Sequence, residues 1–254
     1  MRKCLLLLSI FALFIACSPT SNEPGRIRIF AMDAPPPAGI EHIYLTITEV
    51  NLHRSGTGWM TVATPESTFD FLQLVNGVTA VLIDTLFQPG NYTQLRLVVE
   101  DTNQIVISGQ TYDLTVPSGE ETGVKLNLDF ILEPGQLVEF YVDFDASKSV
   151  ELADGKYLLH PTYRAFSTVT SGSVAGMVSD TSGAGIPGAL VQAASTTDTV
   201  GTLTDSSGGY KLILPGGVYD ISANAAGFSI ADTTYQNVTI QPGEQLNGFN
   251  FVLK

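Results

Sequence analysis

The chain has 254 residues, with 12 basic and 25 acidic side chains, a formal net charge of −13, and 44% hydrophobic residues. That length exceeds the usual single domain and leaves room for two apolar cores. The acidic balance excludes a nucleic-acid partner, because no basic stripe exists to displace counterions from a phosphate backbone; it reads as a solubility feature.

Arg2 and Lys3 precede an apolar run from Leu5 to Ala16, which is too short to span a bilayer and is cut off by Ser18-Pro19-Thr20. Residues 1–16 are therefore expected to be an export signal that is removed. Phe14-Ile15-Ala16-Cys17 resembles the lipobox of bacterial lipoproteins, and the resemblance implies that Cys17 carries lipid, becomes the mature N-terminus and joins the protein to a membrane. The chemistry agrees, since a thiolate is readily alkylated and several acyl chains anchor where one does not. Ser18 stands where enteric-type sorting to the inner membrane would want Asp, which points to the outer membrane. Cys4 falls within the signal, so Cys17 is alone in the mature chain and no internal disulfide is available.

Residues 17–25 form a polar tether. From Arg26 the pattern becomes period-two alternation, Ile27 and Ile29 against Arg26 and Arg28, then Ile43, Leu45 and Ile47 against His42, Tyr44, Thr46 and Thr48. Such alternation predicts strands with one buried face. It returns in Val78 to Ile83, Leu95 to Val99, Ile105 to Ile107, Tyr112 to Val116, Val124 to Leu128, Val138 to Phe144 and Tyr157 to Phe166. Turn signals such as Gln88-Pro89-Gly90-Asn91 and Glu133-Pro134-Gly135 separate these runs, and only Phe69 to Val75 has the makings of a helical turn. Residues 167–172 read as a linker. Beyond them charges become scarce, Gly, Ala, Ser and Thr dominate, and short β runs continue to Phe249–Leu253. The expectation is an all-β chain of two consecutive antiparallel β-sandwich domains, residues 26–166 and 173–254.

The second of these resembles the carboxypeptidase regulatory-like domains, a transthyretin-like sandwich grouped with carbohydrate-binding-like folds. The resemblance rests on Gly176-Met177-Val178-Ser179-Asp180, Gly185-Ile186-Pro187-Gly188-Ala189-Leu190-Val191, Thr204-Asp205-Ser206-Ser207-Gly208-Gly209-Tyr210, Leu214-Pro215-Gly216-Gly217-Val218-Tyr219 and Ala226-Gly227-Phe228. Each glycine is expected to serve a turn that needs positive φ, and Asp205 to cap its turn. The first domain resembles a bacterial domain of unknown function, DUF4382, in Asp33-Ala34-Pro35-Pro36, Ile47-Thr48-Glu49-Val50, Asp70-Phe71-Leu72-Gln73-Leu74, Gly90-Asn91-Tyr92, Gly123-Val124-Lys125-Leu126 and Val142-Asp143-Phe144-Asp145-Ala146-Ser147-Lys148. That resemblance implies an exported lipoprotein and brings no activity.

No Gly-x-Ser-x-Gly, His-Glu-x-x-His, phosphate loop or Cys–His pairing occurs, and His42, His53 and His160 are scattered. The sharpest polar cluster is Asp143-Phe144-Asp145-Ala146-Ser147-Lys148-Ser149. Two carboxylates on one strand face form part of a calcium shell, which needs six to eight oxygens; the run lacks the third acid and the glycine of a calcium loop, and Lys148 opposes a cation. A turn braced by Asp and Ser is the favoured account, with Asp143 and Asp145 as weak calcium candidates and no cofactor expected. Trp59, after Gly56-Thr57-Gly58, is a candidate platform for a sugar ring, weighed against a core or rim position. The function expected is a non-catalytic, lipid-anchored envelope module that binds a glycan or a protein. Its alternatives are a structural spacer and a hydrolase with a dispersed site.

Overall fold

The computed structural model describes residues 23–35, 39–100, 103–117, 123–229 and 234–254. Residues 1–16, Cys17 and the tether up to residue 22 lie outside them. The first half contains β1 (Gly25–Asp33), β2 (Ile40–Arg54), β3 (Gly58–Ala63), β4 (Ser67–Asp70), β5 (Ala80–Phe87), β6 (Gly90–Val99) and β7 (Asn103–Ile107). It continues with β8 (Gln110–Thr115), β9 (Val124–Leu132), β10 (Leu137–Phe144), the helical turn α1 (Ala146–Ser149), β11 (Val150–Ala153), β12 (Lys156–Leu159) and β13 (Tyr163–Ser167). The second half contains β14 (Ser171–Asp180), β15 (Leu190–Ala194), β16 (Thr199–Leu203), β17 (Gly209–Pro215), β18 (Gly217–Asn224), β19 (Tyr235–Ile240), β20 (Gln245–Leu246) and β21 (Phe251–Leu253).

The chain is all-β, in two sandwiches. The first packs a four-stranded sheet, β13-β10-β1-β5, on a nine-stranded sheet, β11-β12-β8-β7-β2-β6-β9, with β3 and β4 also paired to β2. Its core takes the inward positions of the alternating runs: Ile27 and Ile29, Ile43 to Ile47, Leu95 and Leu97, Leu126 and Leu128, Phe140 to Phe144. The second packs β17-β14-β20, with β21 also on β14, against β16-β15-β18-β19 around Val174, Val191, Tyr210, Leu212, Ile221 and Phe251. Pairing is mostly antiparallel, but β1 runs parallel to β10, β12 to β8, and β14 to both β20 and β21.

The run from Tyr157 to Phe166 is two strands rather than one, and they belong to opposite sheets: β12 pairs β8 and β11, whereas β13 pairs β10. His160-Pro161-Thr162 is the crossing. Pro161 has no N–H to give a ladder, so the strand ends and the chain changes layer there. Residues 167–172 hold the last residue of β13, a single 3₁₀ turn over Thr168–Thr170, and the start of β14. The Phe69 to Val75 stretch contains a 3₁₀ turn, Phe71–Gln73. The turn α1 falls within Asp143 to Ser149, the stretch read from sequence as a strand-end turn.

Each sandwich is pinned by a tyrosine corner. The Tyr92 hydroxyl donates to the Gln88 carbonyl at 2.6 Å, and the Tyr219 hydroxyl donates to the Pro215 carbonyl at 3.0 Å. Both reach back four residues over a Pro/Gly turn, closing the loop before the strand from which the ring enters the core. The second sandwich also repeats one turn, Asp-x-Ser-Gly. Asp180 Oδ1 accepts from Ser182 N and Oγ and from Ala184 N, and Asp205 Oδ1 accepts from Ser207 N and Oγ and from Gly209 N. The serine hydroxyl in each turn is the main reason that the carboxyl sits below the usual aspartate range.

Of the motif glycines only Gly188, Gly208 and Gly227 are at positive φ; Gly209, Gly216 and Gly217 are not, and at two more a different cause selects glycine. Gly176 and Gly185 are not at positive φ. A Cβ on Gly176 would drive into the Phe249 carbonyl, and one on Gly185 into the Ser207 carbonyl. Close backbone approach, rather than turn geometry, selects glycine at both.

The sandwiches touch directly. Met32, Ala34 and Ile213 are buried yet belong to neither core. Beside Asn76, at φ 59°, a short hydrogen-bonded set crosses the junction: its N–H donates to Thr202 Oγ1 (2.7 Å), its Nδ2 to the Gly209 carbonyl (3.3 Å), and its Oδ1 accepts from Lys211 N (2.6 Å). A second link runs through Arg164, which is bonded to Asp143 in its own sandwich and to Asp198 in the other.

Candidate functional site

Trp59 lies on β3 opposite His53 of β2, which stands opposite Gln94 of β6, which stands opposite Asn127 of β9. The next row in the same register is Thr61, Asn51, Arg96 and Lys125. Because Val50, Leu52, Leu95, Leu97, Leu126 and Leu128 point into the core, these alternate residues lie on the opposite face, where Asn51 is itself buried among its neighbours. Two adjacent rows thus cover about 14 Å across four strands at the usual strand spacing of about 4.8 Å.

The grid is internally ordered. The Arg96 guanidinium lies 4.7 Å from the centre of the Trp59 ring, and His53 meets the ring edge-on at 5.3 Å. Thr61 Oγ1 donates to Asn51 Oδ1 (2.8 Å), Asn51 Nδ2 donates to Glu49 (3.3 Å), and Gln94 Nε2 donates to Asn127 Oδ1 (3.2 Å). His53 Nδ1 is 2.9 Å from Thr93 Oγ1. Arg96 Nε is buried with no acceptor among the described residues. Trp59 is half-buried, held at the rim by Arg96 and His53 rather than sunk in the core. The sequence reading isolated Trp59 but missed its neighbours, which sit on β2, β6 and β9; the available signal was that each of those strands alternates polar side chains opposite its core positions.

Asp143 and Asp145 are brought together, at the end of β10, and both are buried. Each already has a cation: Arg164 Nε donates to Asp143 Oδ2 at 2.7 Å, and Lys148 Nζ lies 2.7 Å from Asp145 Oδ2. The Ser149 hydroxyl donates to the Asp145 carbonyl at 2.6 Å, closing α1. Burial pushes the Asp143 carboxyl above the usual aspartate range, outweighing the pull of Arg164. Among the described residues, no group of three or more His, Cys, Asp or Glu side chains converges in a way that would hold a metal ion. His42 lies 2.6 Å from Asp70 and stacks on Tyr44, and His160 is exposed, 3.5 Å from Glu151. Cys17 lies outside the described residues.

Residues 24–161 match the domain of unknown function DUF4382, and residues 173–254 match the carboxypeptidase regulatory-like domain. No curated protein matches the chain. Solved structures similar to it include the Bacillus anthracis TIE protein, at 13% identity and a TM-score of 0.28 over 91% of this chain and 34% of that one. Chlorocatechol 1,2-dioxygenase from Pseudomonas putida is similar at 13% identity and a TM-score of 0.29, over 35% of this chain and 61% of that one. A streptococcal ancillary pilin is similar at 13% identity and a TM-score of 0.26, over 91% of this chain and 63% of that one. The chain therefore spans less than two thirds of the length of each. By the match over its first sandwich, the chain belongs to the DUF4382 family, and a carboxypeptidase regulatory-like domain follows in the same polypeptide.

Proposed function

We propose that the protein is a non-catalytic binding module held at the cell envelope by lipid on Cys17, and that it takes a glycan on the polar grid of the first sandwich. The observation that carries this reading is the pair of adjacent cross-strand rows, in which indole, imidazole, guanidinium and planar amides share one outward face. A ligand rich in hydroxyls both donates and accepts, which suits amides and an imidazole, while Trp59 gives an apolar surface for the C–H face of a sugar ring. Ordered side chains lose little entropy when they bind, and the Thr61–Asn51 and Gln94–Asn127 bonds supply that order.

Affinity electrophoresis of the full chain through gels containing neutral polysaccharides tests the reading. The protein should be retarded by at least one polymer, and Trp59→Ala should weaken that retardation about tenfold or more, the equivalent of about 1.4 kcal/mol. A folded wild type that no polymer retards, or a Trp59→Ala variant retarded as strongly as wild type, would leave the first sandwich as a structural spacer.

The membrane arm of the proposal has its own check. In cells fed a fatty-acid label, Cys17→Ala should lose all labelling and leave an unprocessed or released protein, since no other cysteine of the mature chain is available. Retained labelling would overturn the anchor. In a cell with two membranes, the residue after Cys17 favours the outer one.

A further inference from the structure

The second sandwich has a cleft of about 670 Å³ at the end that faces the first, within the size range of small-molecule sites. It lies between the β15–β16 turn and the β17–β18 turn, and its lining includes Ser195, Asp198, Tyr219, Asp220, Asn237 and, from the first sandwich, Arg164. Behind Arg164 and Asp198 is a chamber of about 70 Å³, walled by Asp143, Asp145, Lys148, Thr162 and Tyr163 together with that same Arg164 and Asp198. The Arg164–Asp198 ion pair is thus the partition between cleft and chamber.

Charge around this pair of spaces is unbalanced. Asp143, Asp145, Asp198 and Asp220 outnumber Arg164 and Lys148. Arg164 divides itself between two carboxylates, and Lys148 is taken by Asp145. The Asp143 side chain is 1% exposed; its Oδ2 has Arg164, and its Oδ1 has no donor among the described residues. A buried carboxylate oxygen without a donor carries the full penalty of its lost hydration. Asp198, by contrast, is half-exposed on the cleft wall, where an incoming cation meets it first.

We propose that this cleft binds a ligand through a primary ammonium group, which takes Asp198 at the partition and satisfies Asp143 Oδ1 behind it. An ammonium fits because it has three donors and no acceptor, is compact, and is carried on a slender alkyl arm that passes where a guanidinium would not. Arg164, released from Asp198, keeps its bond to Asp143 Oδ2. The net charge of −13 favours the approach of such a ligand over that of an anion. A free diamine and a lysine side chain of a peptide share this chemistry. The site is separate from the glycan surface, so either reading stands or falls alone.

Isothermal titration of the full chain with putrescine and with Nα-acetyl-lysine amide tests it, with sodium chloride and the Nε-acetylated lysine amide as controls. Both amines should bind and both controls should not; the tighter of the two amines tells whether a diamine or a peptide lysine is the source. Asp198→Asn and the isosteric Asp143→Asn should each weaken binding about tenfold or more. Circular dichroism of the variants separates loss of the site from loss of fold. Absence of binding by either amine to folded wild type, equal binding of the Nε-acetylated compound, or binding untouched by both substitutions would overturn the proposal.

Discussion

Arg164→Ala should destabilise the protein by about 3–5 kcal/mol at neutral pH, the usual cost of leaving one member of a buried ion pair behind. What is stranded is Asp143, whose side chain is 1% exposed and whose one ion-pair partner among the described residues is Arg164. The loss should depend on pH in a stated direction. Burial already holds the Asp143 carboxyl above its ordinary value of 3.8, and removing Arg164 removes the group that pulls it down. A folded-state value above the unfolded one means that stability is fully present below 3.8 and declines as pH rises from there through the folded value. Denaturant melts should therefore show a deficit for Arg164→Ala that is greatest near pH 8 and shrinks as pH falls toward 4. Adding Asp143→Asn to the same protein should recover most of the loss, because the buried charge is then gone. A deficit that is independent of pH and not rescued by Asp143→Asn would show that Arg164 acts only through Asp198 and the junction.

Tyr92→Ala should cost a similar amount, about 3–5 kcal/mol, the range for removing a large ring from a core. Tyr92 is 0% exposed, with Phe87 and Phe130 at ring-centre distances of 5.8 and 5.2 Å. The hydroxyl contributes much less. Tyr92→Phe should lose only about 0.5–1.5 kcal/mol, since the Gln88 carbonyl it releases belongs to an exposed residue and turns to water. Chemical denaturation followed by tryptophan fluorescence reports on this sandwich, because Trp59 is the one Trp of the chain. A Phe variant as damaged as the Ala variant would mean that the corner, rather than the ring, holds the turn.

The strands of both sandwiches were legible because alternation is local: Ile27 and Ile29, or Leu95 and Leu97, declare an inner face within a few residues. The turn at Asp205 was legible for the same reason, since Asp-x-Ser-Gly bonds itself. What was not legible depends on contacts distant in sequence. Nothing between Val138 and Lys148 shows that the outward face of β10 will be covered at Asp143, for Arg164 comes from β13 and Asp198 from the second sandwich. Nor does the pattern of β2 or β6 alone place Arg96 on Trp59; the register across β3, β2 and β6 does. The division of Tyr157 to Phe166 was written in Pro161, but alternation on both sides of the proline masked the change of layer. Gly185 looked like a turn residue beside Pro187 and Gly188, and only the Ser207 carbonyl from another segment shows why a side chain is not admitted there.

The bond set at Asn76 reaches beyond joining two domains. β17 is the last strand of its sheet, and the Lys211 N–H and Gly209 carbonyl that Asn76 engages lie on the side away from β14. Those are the groups that an extended segment of another molecule would seek in order to continue the sheet. A primary amide has one carbonyl and one N–H₂, so the Asn76 side chain imitates a peptide unit and occupies the rung where such a segment would begin. The first sandwich thereby acts as a stopper on the second, closing β17 to templated growth, while β19 at the rim of the facing sheet has no further strand beside it among the described residues. Edge-to-edge contact between neighbouring copies of the chain is accordingly steered away from β17.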